Sequence, residues 1–369
     1  MTAATTHRPA LAHRPDLAWT SYLRTAAILA VVLIHVAGMS YLQIKDHDSR
    51  AWQLATLLTF GTKWAVPVFV MVSGALLLRP PQDRSPMAFY RRRLARIGIP
   101  LVVWHVVYIA VFWFILSDAS WERLVARLIA GQVFTGLYFF WLILGLYIVT
   151  PVLWPLVESL SRRALLVTAI LVTALPAVDL VTRRIILELG GRVNVADPTL
   201  TTQFLPYVGY FLLGYALRDV VVGGWRLWLL ALITIALSIE LTVQSVALRQ
   251  LAPSLSRFLD TVSPVSYQGP LLGLCAVGVF LVAHSLIPES SPLASPRWSK
   301  RARRMGDYTF GVFCVHLLIA YGLSRLMGHP SLWGARSVGG ILAYNALVIG
   351  LAFLVSAAMS RIPFVRRAV

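Results

Sequence analysis

The sequence predicts an all-α polytopic membrane protein, a bundle of about ten transmembrane helices with both termini in the cytoplasm. Three observations carry this. Of 369 residues, 58% are hydrophobic and 13% charged, with mean hydropathy +0.74, a balance that soluble globular domains do not have. Apolar windows of about 20 residues, the length that crosses a bilayer's hydrocarbon core, recur near 21–41, 54–78, 97–116, 136–157, 164–181, 203–222, 225–247, 268–287, 308–327 and 337–360. Threading these from a cytoplasmic N-terminus puts 21 Arg and Lys residues inside and 11 outside, the bias expected of membrane topology. That distribution explains the net charge of +18 by contact with anionic lipid rather than with nucleic acid. The bilayer is therefore the expected partner, and a multi-pass place in the cell's inner or plasma membrane the expected location.

Residues 1–20 hold His7, Arg8, His13 and Arg14 without an apolar stretch and are expected to be a short, disordered cytoplasmic tail. Residues 21–360 form the transmembrane domain, and 361–369 a short basic cytoplasmic tail. The first window is long enough to span and reads as an uncleaved anchor. It reads "LRTAAILAVVLIHVAG" (23–38) and contains two ionisable groups. Arg24 and His35 are eleven residues apart. At about 100° per residue they share one helix face, about 16 Å apart along the axis. Arg24 falls at the cytoplasmic boundary and His35 beyond the middle, where an ionisable group usually faces the bundle interior or a water-filled cavity.

The second window, "FGTKWAVPVFVMVSGALLLRP" (60–80), brings Lys63 in from the outer side to about the depth of His35, and Pro67 is expected to interrupt its helix. Ser73 and Gly74 there favour close helix packing. Before the third window, "MAFYRRRLARIGIPLVVW" (87–104) gathers Arg91, Arg92, Arg93 and Arg96. Such a cluster anchors topology and, beside a helix start, can also hold phosphate. The fourth window carries Pro151 and Pro155, and the fifth is short. The fifth and seventh end near Asp179 and Glu240, the candidate acids for orienting His35. In the eighth and ninth, Cys275 and Cys314 allow neither a disulfide framework nor zinc spacing, and no metal is expected. The ninth, "GDYTFGVFCVHLLI" (306–319), lifts His316 about 12 Å above Tyr308, again to the membrane middle.

Four of these blocks, in this order, resemble the acyltransferase-3 family of integral membrane O-acyltransferases found in bacteria. They are Arg24 with His35, "VPVFVMVSGALL" (66–77) preceded by Lys63, "FYRRRLARIGIPLVVW" (89–104) and "YTFGVFCVH" (308–316). "FFWLILGLYIVTPVL" (139–153) resembles a weaker block, and the likeness runs from about residue 17 to 360. The resemblance implies a ten-helix enzyme. It would take an acyl group, most often acetyl, from cytoplasmic acyl-CoA (acetyl-CoA above all) and pass it to a hydroxyl of a glycan, glycolipid or secondary metabolite. It implies His35 as catalytic histidine, Arg24 as its partner, and Arg91, Arg92 and Arg93 on the donor side. Many relatives carry an added SGNH-type hydrolase domain, which this chain does not show, so a second transfer step is expected of another protein.

A hydroxyl needs a base as it attacks a thioester, and a neutral histidine suits that role. Lys63 or His316 would stabilise the oxyanion. An acyl-histidine intermediate is the rival mechanism. The alternative function is a transporter or flippase, since proline-interrupted spans with intramembrane charge are typical of transporters. Against it stand the lack of paired halves and the small acidic charge available for coupling.

Overall fold

A computed structural model describes residues 18–369 except 82–83, 116–119, 194–197, 246–252, 289 and 330–333. The described residues are helical with no strand. The helices are α1 Ala18–Gln43, α2 Arg50–Phe60, α3 Ala65–Leu77, α4 Pro86–Ile115, α5 Trp121–Ile129, α6 Tyr138–Ser159 and α7 Arg162–Glu188. After them come α8 Val208–Leu217, α9 Trp225–Ser245, α10 Pro253–Val262, α11 Pro270–Leu286, α12 Pro296–Leu326 and α13 Val338–Met359. Each of the ten apolar windows contains helix. Eight of the helical segments are long and apolar enough to cross a membrane, with α2 and α3 counted as one. The sixth and eighth windows hold the shorter apolar helices Leu205–Leu217 and Pro270–Leu286.

The core is built around α1. Its Ala27, Ile28, Val32, Val36 and Ala37 are fully buried, and it packs on α2, α3, α12 and α13. Small and branched side chains let those neighbours approach closely. The periphery is the converse. Leu171, Leu175 and Val178 on α7, and Trp228 and Leu232 on α9, are exposed, as a lipid-facing surface requires. The helix of the fifth window, α7, runs past its expected end. Arg183 pairs with Asp179 one turn earlier at 2.7 Å, and this exposed polar turn continues the helix beyond the apolar stretch. Two short helices lie outside the ten windows. On α5, Trp121, Val125 and Ile129 fall at i, i+4 and i+8 and are all exposed, an apolar stripe of the kind that interfacial helices carry.

The second span breaks, but before Pro67 rather than at it. Residues 61–64 form a turn between α2 and α3, and Pro67 falls in the first turn of α3, where its missing N–H costs nothing. The carbonyls loosened by the break find partners. Ser238 donates to the Gly61 carbonyl at 2.5 Å, and the Thr62 hydroxyl reaches the Leu58 carbonyl at 2.6 Å, as backbone at membrane depth must.

Where α3 crosses α8, two glycines face each other's backbone. A Cβ on Gly74 would collide with the Phe211 carbonyl, and one on Gly214 with the Met71 carbonyl. Three indole and phenol donors tie further segments together. Trp154 reaches the Leu77 carbonyl at 3.2 Å, Tyr108 the Cys314 carbonyl at 3.0 Å and Trp104 the Ala368 carbonyl at 2.7 Å. The last of these holds the 3₁₀ turn Val365–Ala368 against α4, and Val369 packs beside Gly311 of α12.

Candidate active site

Helices α1 and α12 lie side by side, and each brings to the same cavity region a charged residue from its first half and a histidine deep in the bundle. On α1 these are Arg24 and His35. On α12 they are Asp307 and His316, nine residues apart, or about 14 Å along the axis. The two helices match in register. Asp307 acts electrostatically on Arg24, and the His35 and His316 rings stand 5.4 Å apart at 36°. Gly306 makes the lower pairing possible: a Cβ there would lie 3.0 Å from an Arg24 terminal nitrogen and 3.3 Å from the Ser21 Cβ.

The upper pair has a fixed polarity. His316 is completely buried. Its Nδ1 lies 2.8 Å from the Phe313 carbonyl and 3.1 Å from that of Val312. Carbonyls only accept, so Nδ1 carries the proton of the neutral ring and Nε2 keeps a lone pair. That Nε2 is buried with no hydrogen-bond partner. Such an acceptor is costly and calls for a donor. The nearest ionisable ring is His35. Gly136 sits against His35: a Cβ there would be 3.8 Å from His35 Nε2, and its φ of +98° suits glycine.

A cavity of about 460 Å³ runs between the two pairs. Arg24, Arg93, Arg96 and Asp307 line one end, where Val369 also contributes. The middle is largely apolar, with Ile28, Val31, Val72, Leu76, Ile97 and Ile143, and Ser73 also lines it. His35, Thr135, Gly136, Tyr138 and Tyr267 line the other end, together with Phe69, Phe139 and Phe313. Arg93 is held in place by aromatic faces, its guanidinium 5.5 Å from the Phe89 ring and 5.7 Å from that of Tyr147. Arg24 Nε is buried without a hydrogen-bond partner. The charged end thus offers three guanidinium side chains against one acidic side chain, which suits an anion such as phosphate.

The structure brings together Arg24, His35, His316 and Arg93 of the sequence-derived candidates. It leaves out Arg91 and Arg92, which are exposed and do not line the cavity; Arg91 is on the opposite face of α4 and Arg92 at the edge of the cavity-facing stripe. Arg96 takes their place, because residues 89, 93, 96 and 97 make one stripe at helical spacing. Lys63 is also outside the cavity wall. It lies in the turn between α2 and α3 with its ammonium 4.5 Å over the Phe60 ring. Neither candidate acid lines the cavity: Asp179 is paired with Arg183 at the surface, and Glu240 sits on peripheral α9. The carboxylate side chain at the site is that of Asp307, nine residues before His316 on α12. No group of three or more His, Cys, Asp or Glu able to hold a metal occurs among the described residues, and Cys275 and Cys314 are free and buried.

No curated protein and no solved structure matches the chain. A family model described as an acyltransferase domain, that of acyltransferase-3, matches residues 17–361. That match takes in every wall of the cavity except Val369, and the chain belongs to the acyltransferase-3 family of membrane acyltransferases.

Proposed function

We propose that this protein moves an acyl group, acetyl in the first instance, from cytoplasmic acyl-CoA to a hydroxyl of a glycan, glycolipid or exported metabolite. The carrying observation is the single cavity that joins a guanidinium-lined end to His35. In this reading the chain crosses the plasma membrane ten times with both termini inside. Arg24, Arg93 and Arg96 hold the phosphates of CoA at the cytoplasmic end, and the pantetheine arm lies along the apolar middle. The thioester carbonyl then reaches His35.

As the substrates bind, His316 Nε2, unpaired in the resting protein, accepts a hydrogen bond from the ring N–H of His35, which leaves the other His35 nitrogen as a base facing the reacting atoms. That nitrogen takes the proton of the acceptor hydroxyl as its oxygen bonds to the thioester carbon. The tetrahedral adduct collapses, the C–S bond breaks, and the CoA thiolate recovers the proton from His35. Holding both reactants in one water-poor channel supplies much of the acceleration.

Oriented membrane vesicles test this. Labelled acetyl-CoA added at the cytoplasmic face should label envelope glycan, lipid or metabolite on the other side, and His35→Ala should abolish the label while the protein still inserts and folds. Wild-type labelling by His35→Ala refutes His35 as the base. Labelling that requires acetyl-CoA at the outer face refutes the orientation.

A further inference from the structure

The two ends of the cavity differ in charge. Every ionised side chain in its wall, Arg24, Arg93, Arg96 and Asp307, lies at the end away from His35. Around His35 the polar groups are hydroxyls: Thr135, Tyr138 and Tyr267. The Tyr207 and Tyr267 phenols converge on that of Tyr138. Tyr207 is buried behind them, whereas Tyr138 and Tyr267 are partly exposed onto the cavity. The same end carries a continuous run of aromatic rings. Phe69 meets Phe139 at 6.0 Å between ring centres, Phe139 meets Phe313 at 5.4 Å, and Phe313 leads to His316 at 6.2 Å.

Tyr267 is brought there by a tight turn. It stands in the Ser263–Gly269 segment that enters α11. Gly269 passes so close to the Pro264 carbonyl that a Cβ would collide with it. The Tyr267 carbonyl also receives the Tyr210 hydroxyl at 2.9 Å. The ring is thus anchored through its backbone, and its side chain is left to face the cavity.

Resting on the acyl-transfer reading above, we infer that this end binds an uncharged, polyhydroxylated ring, with Tyr267 and Tyr138 as its specificity-determining contacts. Phenol and threonine hydroxyls both donate and accept, so they match ring hydroxyls without fixing a charge. The flat faces of Phe69, Phe139 and Phe313 cover the C–H face of such a ring. An acceptor carrying an ammonium or carboxylate on that ring would be desolvated there with no counter-charge, a heavy cost. Selection against charged acceptors therefore follows from what the wall lacks, and selection for hydroxyls from what it holds.

The test uses the full chain in lipid nanodiscs and three probes of equal chain length: hexyl β-glucoside, hexyl β-glucosaminide (an ammonium on the ring) and hexyl β-glucuronide (a carboxylate). Binding is read by saturation-transfer NMR titration, and CoA binding is measured on the same samples. The glucoside should bind wild type at least tenfold more tightly than either charged probe. Tyr267→Phe and Tyr138→Phe should each weaken glucoside binding roughly five- to tenfold, the value of one neutral hydrogen bond, with CoA affinity unchanged. No glucoside binding by wild type, equal binding of a charged probe, or unchanged binding in both variants overturns the inference. Loss of CoA binding in wild type overturns the donor reading instead, and is seen separately.

Discussion

His316→Leu should separate stability from activity. The leucine side chain is close to the imidazole in volume, in a site with no exposure, so neither a large cavity nor an overpacked core forms. The buried Nε2 with no partner costs about 1–3 kcal/mol in the resting protein. The Nδ1–H contacts to the Val312 and Phe313 carbonyls return about 1 kcal/mol. Those carbonyls keep their helical partners when the ring is replaced. The balance favours the variant by roughly 0–2 kcal/mol, so it should melt at or above the wild-type temperature. Catalysis should move the other way. In the proposed mechanism the variant removes the group that accepts from the His35 N–H during the reaction, so the His35 tautomer is no longer fixed and kcat should fall about a hundredfold, equivalent to about 2.7 kcal/mol. Thermal unfolding in nanodiscs and release of free CoA thiol measure the two quantities on one preparation. Wild-type kcat, or a melting temperature lowered along with activity, would refute the dyad.

The cationic end gives a second expectation. Arg93→Gln with Arg96→Gln should raise KM for acyl-CoA at least tenfold through lost charge-assisted contacts, with kcat little changed. Arg162→Gln with Arg163→Gln, exposed at the start of α7, should change neither. Equal effects of the two pairs in steady-state kinetics would leave the α4 arginines as topology signals. Gly214→Ala should destabilise by about 1–3 kcal/mol. Its new methyl meets the Met71 backbone carbonyl, which cannot swing aside as a side chain could. An unchanged melting temperature would mean that α3 and α8 do not cross as described.

The bundle was legible in the sequence because membrane burial writes itself as length. Each apolar window holds a helix, and only the shortness of Leu205–Leu217 and Pro270–Leu286 escaped a fixed window. The Arg24–His35 stripe was legible because both residues obey one helical period on an unbroken helix. Lys63 was not, since the turn at 61–64 takes it off the helical period and its depth no longer follows from counting. Within the arginine cluster, composition was plain but facing was not. Arg91 and Arg93 look alike until Phe89 and Tyr147 show which side of α4 packs inward. Tyr138, Tyr207 and Tyr267 come from three helix starts far apart in sequence, and nothing local joins them. Asp307 was hidden for the same reason: its partner lies on α1, and only the pairing of α1 with α12 gives it a role.

That pairing also bears on how the protein is made. Arg24 and Asp307 are separated by more than 280 residues, as are His35 and His316. At synthesis rates of about 5–20 residues per second, the first helix waits on the order of 15–55 s for its partner to leave the ribosome. Through that interval α1 must sit in the bilayer with a guanidinium and an imidazole that nothing yet satisfies. Its unbroken run of Ala, Val, Leu and Ile is what keeps it there, so the apolarity of this helix is a requirement of biogenesis before it is one of packing. A second polar substitution in α1 would be felt first by the insertion machinery, as nascent chain lost to degradation, and an enzyme assay on the surviving protein would not register it.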